Sequence, residues 1–452
     1  MDVDENGVSM IKTQLPSDCK YLPISNGQLL VSRQHAKFCP LTPGDMPAVN
    51  AVLNRKTSPD LLKPELRSKL ERHGFFDPPR NPKPEARTVQ LQLTNACNLV
   101  CSYCCTNSGN RRTEEVIYKD LLGIVKQIPE VLGAKTSVSL MGGEPLMVPW
   151  TLNLADEIIQ SGLQLTLFTN GTLLEDDNIA KKTASLTRQG MKVRVSLGGV
   201  SKESCDTISG SHRFDLTLQG LSKLAAYKGN ATVDLMFTPQ HSAEIASKLS
   251  NLRQKLPASM DVSLGILYLS GRETGEHIFN SRAELEAALD YVAFEAGVAI
   301  PVTQTGPVTY RREGCSCALG HHIHVRSDGA LFNCFKMEEK IGHLQTNGFA
   351  EAAYYNRKHP HPAFTLPTCA ECPLATLCGG GCRSENLLYT GDPDKPPCGP
   401  WRVQVISELL AEEKVSAVEW PVAFLAEEAL KRGIDIPNDL YPQQRSRHLS
   451  DV

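Results

Sequence analysis

The segment LTNACNLVCSYCC, residues 93–105, places four cysteines within nine positions. Cys97, Cys101 and Cys104, spaced x3 and x2, can offer three soft thiolates from one short loop, whose backbone N–H groups can also hydrogen-bond inorganic sulfides. A disulfide would need two facing sulfurs and would leave the rest unexplained. A four-iron cluster held by three thiolates keeps one iron free of protein ligands, open to a small molecule. Zinc prefers four ligands closed tetrahedrally, and a fourth is at hand only if Cys105 twists back. Adjacent side chains diverge, so Cys105 reads as spare. A second cysteine zone holds Cys315, Cys317 and Cys334, then CAECPLATLCGGGCR with Cys369, Cys372, Cys378 and Cys382, and Cys398 after fifteen more residues. Such spacing in a chain with no apolar signal-like region reads as metal ligation in a reducing compartment.

These residues need elements to hold them. TVQLQL at 88–93, TSVSLMGGEP, LQLTLFTNG, MKVRVSLGG, ATVDLMFT and DVSLGILYL read as six strands separated by helical stretches, which implies a parallel sheet with right-handed crossovers. An open doubly wound sheet and a partial barrel both satisfy that order. The informative residues follow the strands: the cysteines after the first, Gly142 to Pro145 after the second, Asn170 after the third, Ser196 in the fourth. In a barrel these ends share one mouth, where ligands bind. Around Asp328-Gly329 a hairpin is expected, bringing Cys317 and Cys334 near each other. His322 and His324 would share one face of it, as solvated or packed strand residues. Upstream, YLPISNGQLLVSRQHAKFCPLTP reads as small antiparallel strands. SPDLLKPELRSKLERHGFF reads as a helix with Leu62, Leu66 and Leu70 on one face and Gly74 as its stop. The proline-rich 77–86 is a stiff linker. The 47 basic and 50 acidic residues nearly cancel, so bulk charge points to neither nucleic acid nor an anionic membrane, and no apolar run is long enough to span one.

Cys97-x3-Cys101-x2-Cys104 with Tyr103 before the last cysteine, followed by MGGEP at 141–145 after the next strand, resembles the signature of radical S-adenosylmethionine (SAM) enzymes. The resemblance implies a partial (β/α)6 TIM-like barrel and a catalytic [4Fe-4S] cluster whose open iron is chelated by SAM. Glu144 and its loop would hold the SAM amino group, with Gly142 and Gly143 allowing close backbone approach. Tyr103 would lie near the adenine, and Asn170 and Ser196 near the ribose or methionine. The order C-x11-G-x4-C, gap, C-x2-C-x5-C-x3-C, gap, C, with Gly329 included, resembles the SPASM extension and its two auxiliary clusters. That implies Cys369, Cys372, Cys378 and Cys398 for the far cluster. Cys317, Cys334 and Cys382 would hold the nearer one, with Cys315 as candidate fourth ligand or an open iron in its place. Cys19, Cys39 and Cys205 read as buried thiols.

The family reaction implied is cleavage of SAM to a 5'-deoxyadenosyl radical, hydrogen abstraction from substrate, bond closure, and electron transfer to the auxiliary clusters. Residues 21–76 resemble the winged-helix-like peptide-recognition domain of maturases that act on ribosomally made peptides. Such a domain captures a leader as an added strand. The expected organisation is a 1–20 tail, that domain, the linker, a barrel over 87–300, a cluster domain over 301–400, and helices with a mobile end over 401–452. SLGG carries Gly198 where sulfatase-maturing relatives commonly carry aspartate, which counts against simple oxidation to formylglycine. The expected protein is a cytoplasmic peptide maturase that installs a carbon-carbon or thioether cross-link in a leader-bearing precursor, fed by a donor such as flavodoxin or ferredoxin. A sulfatase-maturase-like oxidase, a small-molecule SPASM enzyme and a zinc-stabilised binding module are the alternatives.

Overall fold

The computed structural model describes residues 14–24, 27–33, 35–77, 87–110, 116–209, 213–295 and 314–398. Most of the linker, the expected helices after 401 and the boundary near 301 fall outside them. Internal contacts group the chain into two compact units.

The larger unit spans 85–305 and 316–360. Its strands are β4 (Thr88–Gln92), β5 (Ser137–Met141), β6 (Gln164–Thr169), β7 (Lys192–Leu197), β8 (Ala231–Phe237) and β9 (Met260–Ile266), all parallel. Between them run α3 (Tyr118–Val131), α4 (Thr151–Gln160), α5 (Asp177–Arg188), α6 (Lys202–Ser209), α7 (Phe214–Ala226) and α8 (Ser242–Lys255), and α9 (Arg282–Glu295) follows β9. Each strand lies beside its predecessor in sequence. A doubly wound sheet reverses direction partway, so this order selects the partial barrel.

The pattern within the strands gives the reason. One face carries Val89, Leu91, Val138, Leu140, Val195 and Leu235, fully buried in a core shared with the helices. The residues between them, Gln90, Gln92, Ser139, Arg194, Ser196 and Asp234, face the other way and are polar. A sheet covered by helices on both faces would be apolar on both.

The hairpin forms as expected, with β10 (His322–Val325) antiparallel to β11 (Ala330–Phe332), and β12 (Lys340–His343) and α10 (Gly348–Lys358) follow. The sequence did not show that β10 pairs in parallel with β4, His322 opposite Thr88 and Val325 opposite Leu91, making a sheet of nine strands. Residues 316–360 therefore group with the barrel, across the boundary expected at 300. All four β10 side chains are buried, so the two histidines are packed rather than solvated. His322 Nε2 meets Gln90 Oε1 at 3.1 Å. Burial, with the charge of Lys336, pushes His322 down to about 4, and burial, with His322 and Arg326, pushes His324 down to about 3.

The second unit comprises 1–84, 306–315 and 361–452. β1 (Cys19–Ile24), β2 (Gly27–Ser32) and β3 (Lys37–Leu41) form an antiparallel sheet in that order, followed by α1 (Met46–Leu53) and α2 (Pro64–Arg72). Leu62, Leu66 and Leu70 enter one core with Leu30, Cys39 and Leu41, although the helix itself starts at Pro64. The left-handed Gly74 follows its end, whereas α1 was not legible from the sequence. The opposite sheet face, with Leu22, Leu29, Val31 and Phe38, packs on Ala363, Leu366, Cys369, Cys372, Leu374 and Leu377. The cysteine segment includes α11 (Ala375–Cys378) and α12 (Arg383–Thr390).

Candidate functional site

The loop from Leu93 to Asn110 joins β4 towards α3, and the Gly142–Pro145 loop follows β5. Asn170 follows β6, and Ser196 lies near the end of β7 in register with Asp234 of β8. All therefore occupy the C-terminal ends of parallel strands, where such sheets bind ligands.

Backbone bonds lock the first two loops together. Gly143 N–H donates to Thr94 O and Glu144 N–H to Ala96 O, each at 2.9 Å, while Cys97 N–H donates to Gly109 O at 2.8 Å. A Cβ on Gly143 would stand 2.0 Å from Ala96 O, and one on Gly142 2.6 Å from Thr94 O. The backbone that approaches these glycines is thus the chain's own cysteine loop, a role not expected from the sequence.

Glu144 is fully buried. Its Oε1 accepts Leu146 N–H at 3.0 Å and Thr169 Oγ1 at 2.7 Å, and its Oε2 accepts Asn170 N–H at 2.7 Å. Burial raises its pKa, opposed by those three bonds and by the charge of Arg213. Asn170 ties this carboxylate to the cysteine loop, for its Nδ2 donates to Asn98 Oδ1 at 2.8 Å and lies 3.9 Å from Cys97 Sγ.

Sulfur atoms in the loop already face donors. Cys97 Sγ accepts Leu99 N–H at 3.4 Å and Cys104 Sγ accepts Ser108 N–H at 3.3 Å. Burial pushes the Cys97 thiol up to about 11, aided by the charges of Glu144, Cys101 and Cys104. Cys101 is also raised by burial, while Arg213, Tyr103 and Arg272 favour its thiolate. The Tyr103 hydroxyl hydrogen-bonds the Cys101 thiol, and Cys105 is half-buried. Three mutually interacting thiols, two with an N–H and one with a hydroxyl on the sulfur, fit an iron-sulfur cluster. Among the described residues no three His, Cys, Asp or Glu side chains gather closely enough for a single metal ion, whereas a four-iron cluster spreads its thiolates around a larger core.

Two contributors were missed by sequence reasoning. Arg213, only 1 % exposed, donates to Ser196 O. The stretch after β9 clamps the cysteine loop: Arg272 Nε donates to Cys101 O at 2.9 Å, Ser270 Oγ to Cys105 O at 3.1 Å, and His277 Nε2 meets Ser102 Oγ at 2.8 Å. Neither arginine belongs to a spaced motif. A side chain at Gly198 would be tightly fitted, since a Cβ there stands 3.0 Å from Cys205 O and from Ile208 Cγ1.

In the second unit, Cys398, Cys378 and Cys372 are the thiols whose charge bears on Cys369, and burial with their charge pushes it up to about 12. The four cysteines that the resemblance to the SPASM extension groups thus lie within electrostatic reach of one another. Gly379, Gly380 and Gly381, all left-handed, turn the chain after Cys378. Asn386 Nδ2 and Arg383 Nη1 hold the Gly380 carbonyl at 3.0 and 3.1 Å. Cys382 precedes α12. Cys315 and Cys317 are half-buried, and Cys334 is buried with its Sγ accepting Lys336 N–H at 3.4 Å. None of the fifteen cysteines forms a disulfide.

Residues 91–244 match the model of the radical SAM superfamily. The chain is 25 % identical over 346 residues to the AdoMet-dependent heme synthase of Methanosarcina barkeri, covering 69 % of this chain and 96 % of that protein. It is 23 % identical over 322 residues to the mycofactocin maturase MftC of Mycobacterium ulcerans, covering 67 % and 84 %. Streptococcus suis SuiB bound to the precursor peptide SuiA superposes with a TM-score of 0.52 at 15 % identity, over 85 % of this chain and 98 % of SuiB. The enzyme anSMEcpe with AdoMet and a Cp18Cys peptide gives 0.53 at 18 % identity, over 76 % and 99 %. The structural likenesses establish a shared fold, and the family match over the cysteine and GGEP loops gives the chain a radical SAM domain at residues 91–244, of a family that works with a [4Fe-4S] cluster and S-adenosylmethionine.

Proposed function

We propose that the protein is a peptide maturase that installs a carbon-carbon or thioether cross-link in a ribosomally made precursor. The observation that carries the peptide reading is the three-stranded sheet of the second unit, whose order leaves β1 and β3 as its edges among the described residues. An edge accepts an extended leader through main-chain hydrogen bonds. MftC and SuiB support the reading: the one is called a maturase, and the other was solved with its precursor peptide.

Cys97, Cys101 and Cys104 would hold the catalytic cluster, which with SAM supplies a carbon-centred radical able to take a hydrogen atom from the substrate. Tyr103, Gly142, Gly143, Glu144, Asn170 and Ser196 would shape the SAM site. Cys369, Cys372, Cys378 and Cys398 would hold one auxiliary cluster, and Cys317, Cys334 and Cys382, with Cys315 as the candidate fourth ligand, another. The polar inner face of the barrel strands suits a hydrated substrate chain better than a bare apolar one. Gly198, with no carboxylate where a sulfatase-type oxidase would be expected to carry one, argues against that alternative. We further propose a cytoplasmic location and a flavodoxin- or ferredoxin-like donor. Among the described residues no helix is long and apolar enough to cross a membrane.

The test is anaerobic incubation of reconstituted protein, SAM and reductant with a leader-bearing candidate peptide. Loss of two hydrogen atoms from the peptide, with 5'-deoxyadenosine formed, is the expected result. SAM cleavage stimulated by a small molecule and by no peptide would replace the maturase reading with the small-molecule one, which the heme synthase relative represents.

A further inference from the structure

We propose that Arg272, whose guanidinium is bound to the Cys101 carbonyl, sets a fixed positive charge beside the cysteine loop and so raises the reduction potential of the cluster held there. The inference rests on the iron-sulfur reading of residues 97–104 and is independent of the peptide substrate.

Arg272 is built into the cysteine loop. Its Nε donates to the carbonyl of Cys101 at 2.9 Å, and its Nη1 to Ser108 O at 2.6 Å and Asn107 Oδ1 at 3.1 Å. Its own N–H donates to Cys104 O at 3.0 Å. Two ligand residues are thereby fixed by one side chain and its backbone, and Ser108 in turn donates to Cys104 Sγ. Gly271, with φ +66°, makes the approach possible, since a Cβ there would stand 2.3 Å from Cys104 O.

The Arg272 guanidinium keeps one donor unspent: its Nη2 is buried without a hydrogen-bond partner among the described residues. A buried N–H left in that state is costly, and an anionic sulfur is an acceptor that would satisfy it. One-electron reduction adds a negative charge to an already anionic cluster and its thiolates. Fixed cations and N–H donors beside it therefore stabilise the reduced form more than the oxidised form. Arg272 acts through the cluster and its ligands, as a positioning residue.

The test compares Arg272→Gln and Arg272→Lys with wild type by iron content and by potentiometric titration of the electron paramagnetic resonance signal that responds to SAM. Expected for Arg272→Gln is full iron with a more negative midpoint. At a fixed poise its ratio of reduced to oxidised cluster falls roughly tenfold, equivalent to about 59 mV for one electron. Arg272→Lys keeps the charge and should stay near wild type. A glutamine protein with full iron and an unmoved midpoint would overturn the proposal, as would a lysine protein displaced as far as the glutamine one. Should the glutamine protein lose its iron, the lysine protein decides: a wild-type midpoint supports the role of charge, and a displaced one refutes it. A wild-type protein without any SAM-responsive signal would overturn the cluster reading itself before any variant is compared.

Discussion

At the scale of single residues, Glu144 and Gly143 separate what the site holds from what holds the site. Every Glu144 bond described here is spent on this chain, so Glu144→Gln sets an amide N–H₂ against either Asn170 N–H or the Leu146 and Thr169 donors. Stability should fall by about 1–3 kcal/mol in chemical denaturation, even without SAM; an unchanged midpoint would reduce Glu144 to a ligand contact. Gly143→Ala drives a methyl into the Ala96 carbonyl. Iron at the Cys97–Cys104 loop should be lost while the iron proposed for the C-terminal cysteines remains, measured by iron content and the SAM-responsive signal. The cysteines and glycines were legible because ligand geometry and steric closeness leave few residue types that work. Arg213 and Arg272 were not legible, because a long side chain reaches its target from almost any nearby loop and leaves no spacing to read.

Among the elements, the six parallel strands could be read from alternation with helices, whereas β10 could not. Four residues, HIHV, give too short a pattern to say which strand they will join, and pairing with β4 is decided by tertiary packing. Burial there has a pH consequence. An unfolded histidine binds its proton near the ordinary value of 6.5, while folded His322 and His324 resist protonation down to about 4 and 3. Between those limits the unfolded chain binds more protons, so stability is complete above about pH 6.5 and declines as pH falls. Each histidine should withdraw at most about 2 kcal/mol at pH 5. Urea unfolding of His324→Gln at pH 7 and pH 5 should show a correspondingly smaller acid loss, and an equal loss in variant and wild type would contradict the packed, neutral assignment. In the other unit, Phe38→Ala removes a ring from the face that covers Cys369 and Cys372. A destabilisation of about 3–5 kcal/mol is expected for a buried phenylalanine, along with easier loss of the iron proposed for those cysteines and an unaltered SAM-responsive signal.

On the scale of the whole molecule, the sheet expected to be a separable recognition domain shares a core with the C-terminal cysteine segment. Thr376 Oγ1 donates to Arg33 O at 2.6 Å, and Lys20 meets Glu371 at 3.7 Å. On the proposed maturase reading, deleting residues 1–80 should weaken binding of leader-bearing peptide more than that of a bare core peptide; through the shared core it should also lower the iron proposed for the C-terminal cysteines. Retention of all iron in the truncated protein would show the shared core to be dispensable. The sequence could not reveal this union, because the two segments are hundreds of residues apart and their faces match only in three dimensions. The pairing of β4 with β10 has a similar span, with Gln90 and His322 separated by 232 positions. A ribosome adding about 5–20 residues per second would expose the β4 edge for roughly 12–46 s before its partner emerged. During that time TVQLQ is an open strand able to pair with a neighbouring nascent chain, so the yield of soluble enzyme should depend on translation speed and chaperone supply as much as on the stability of the finished fold.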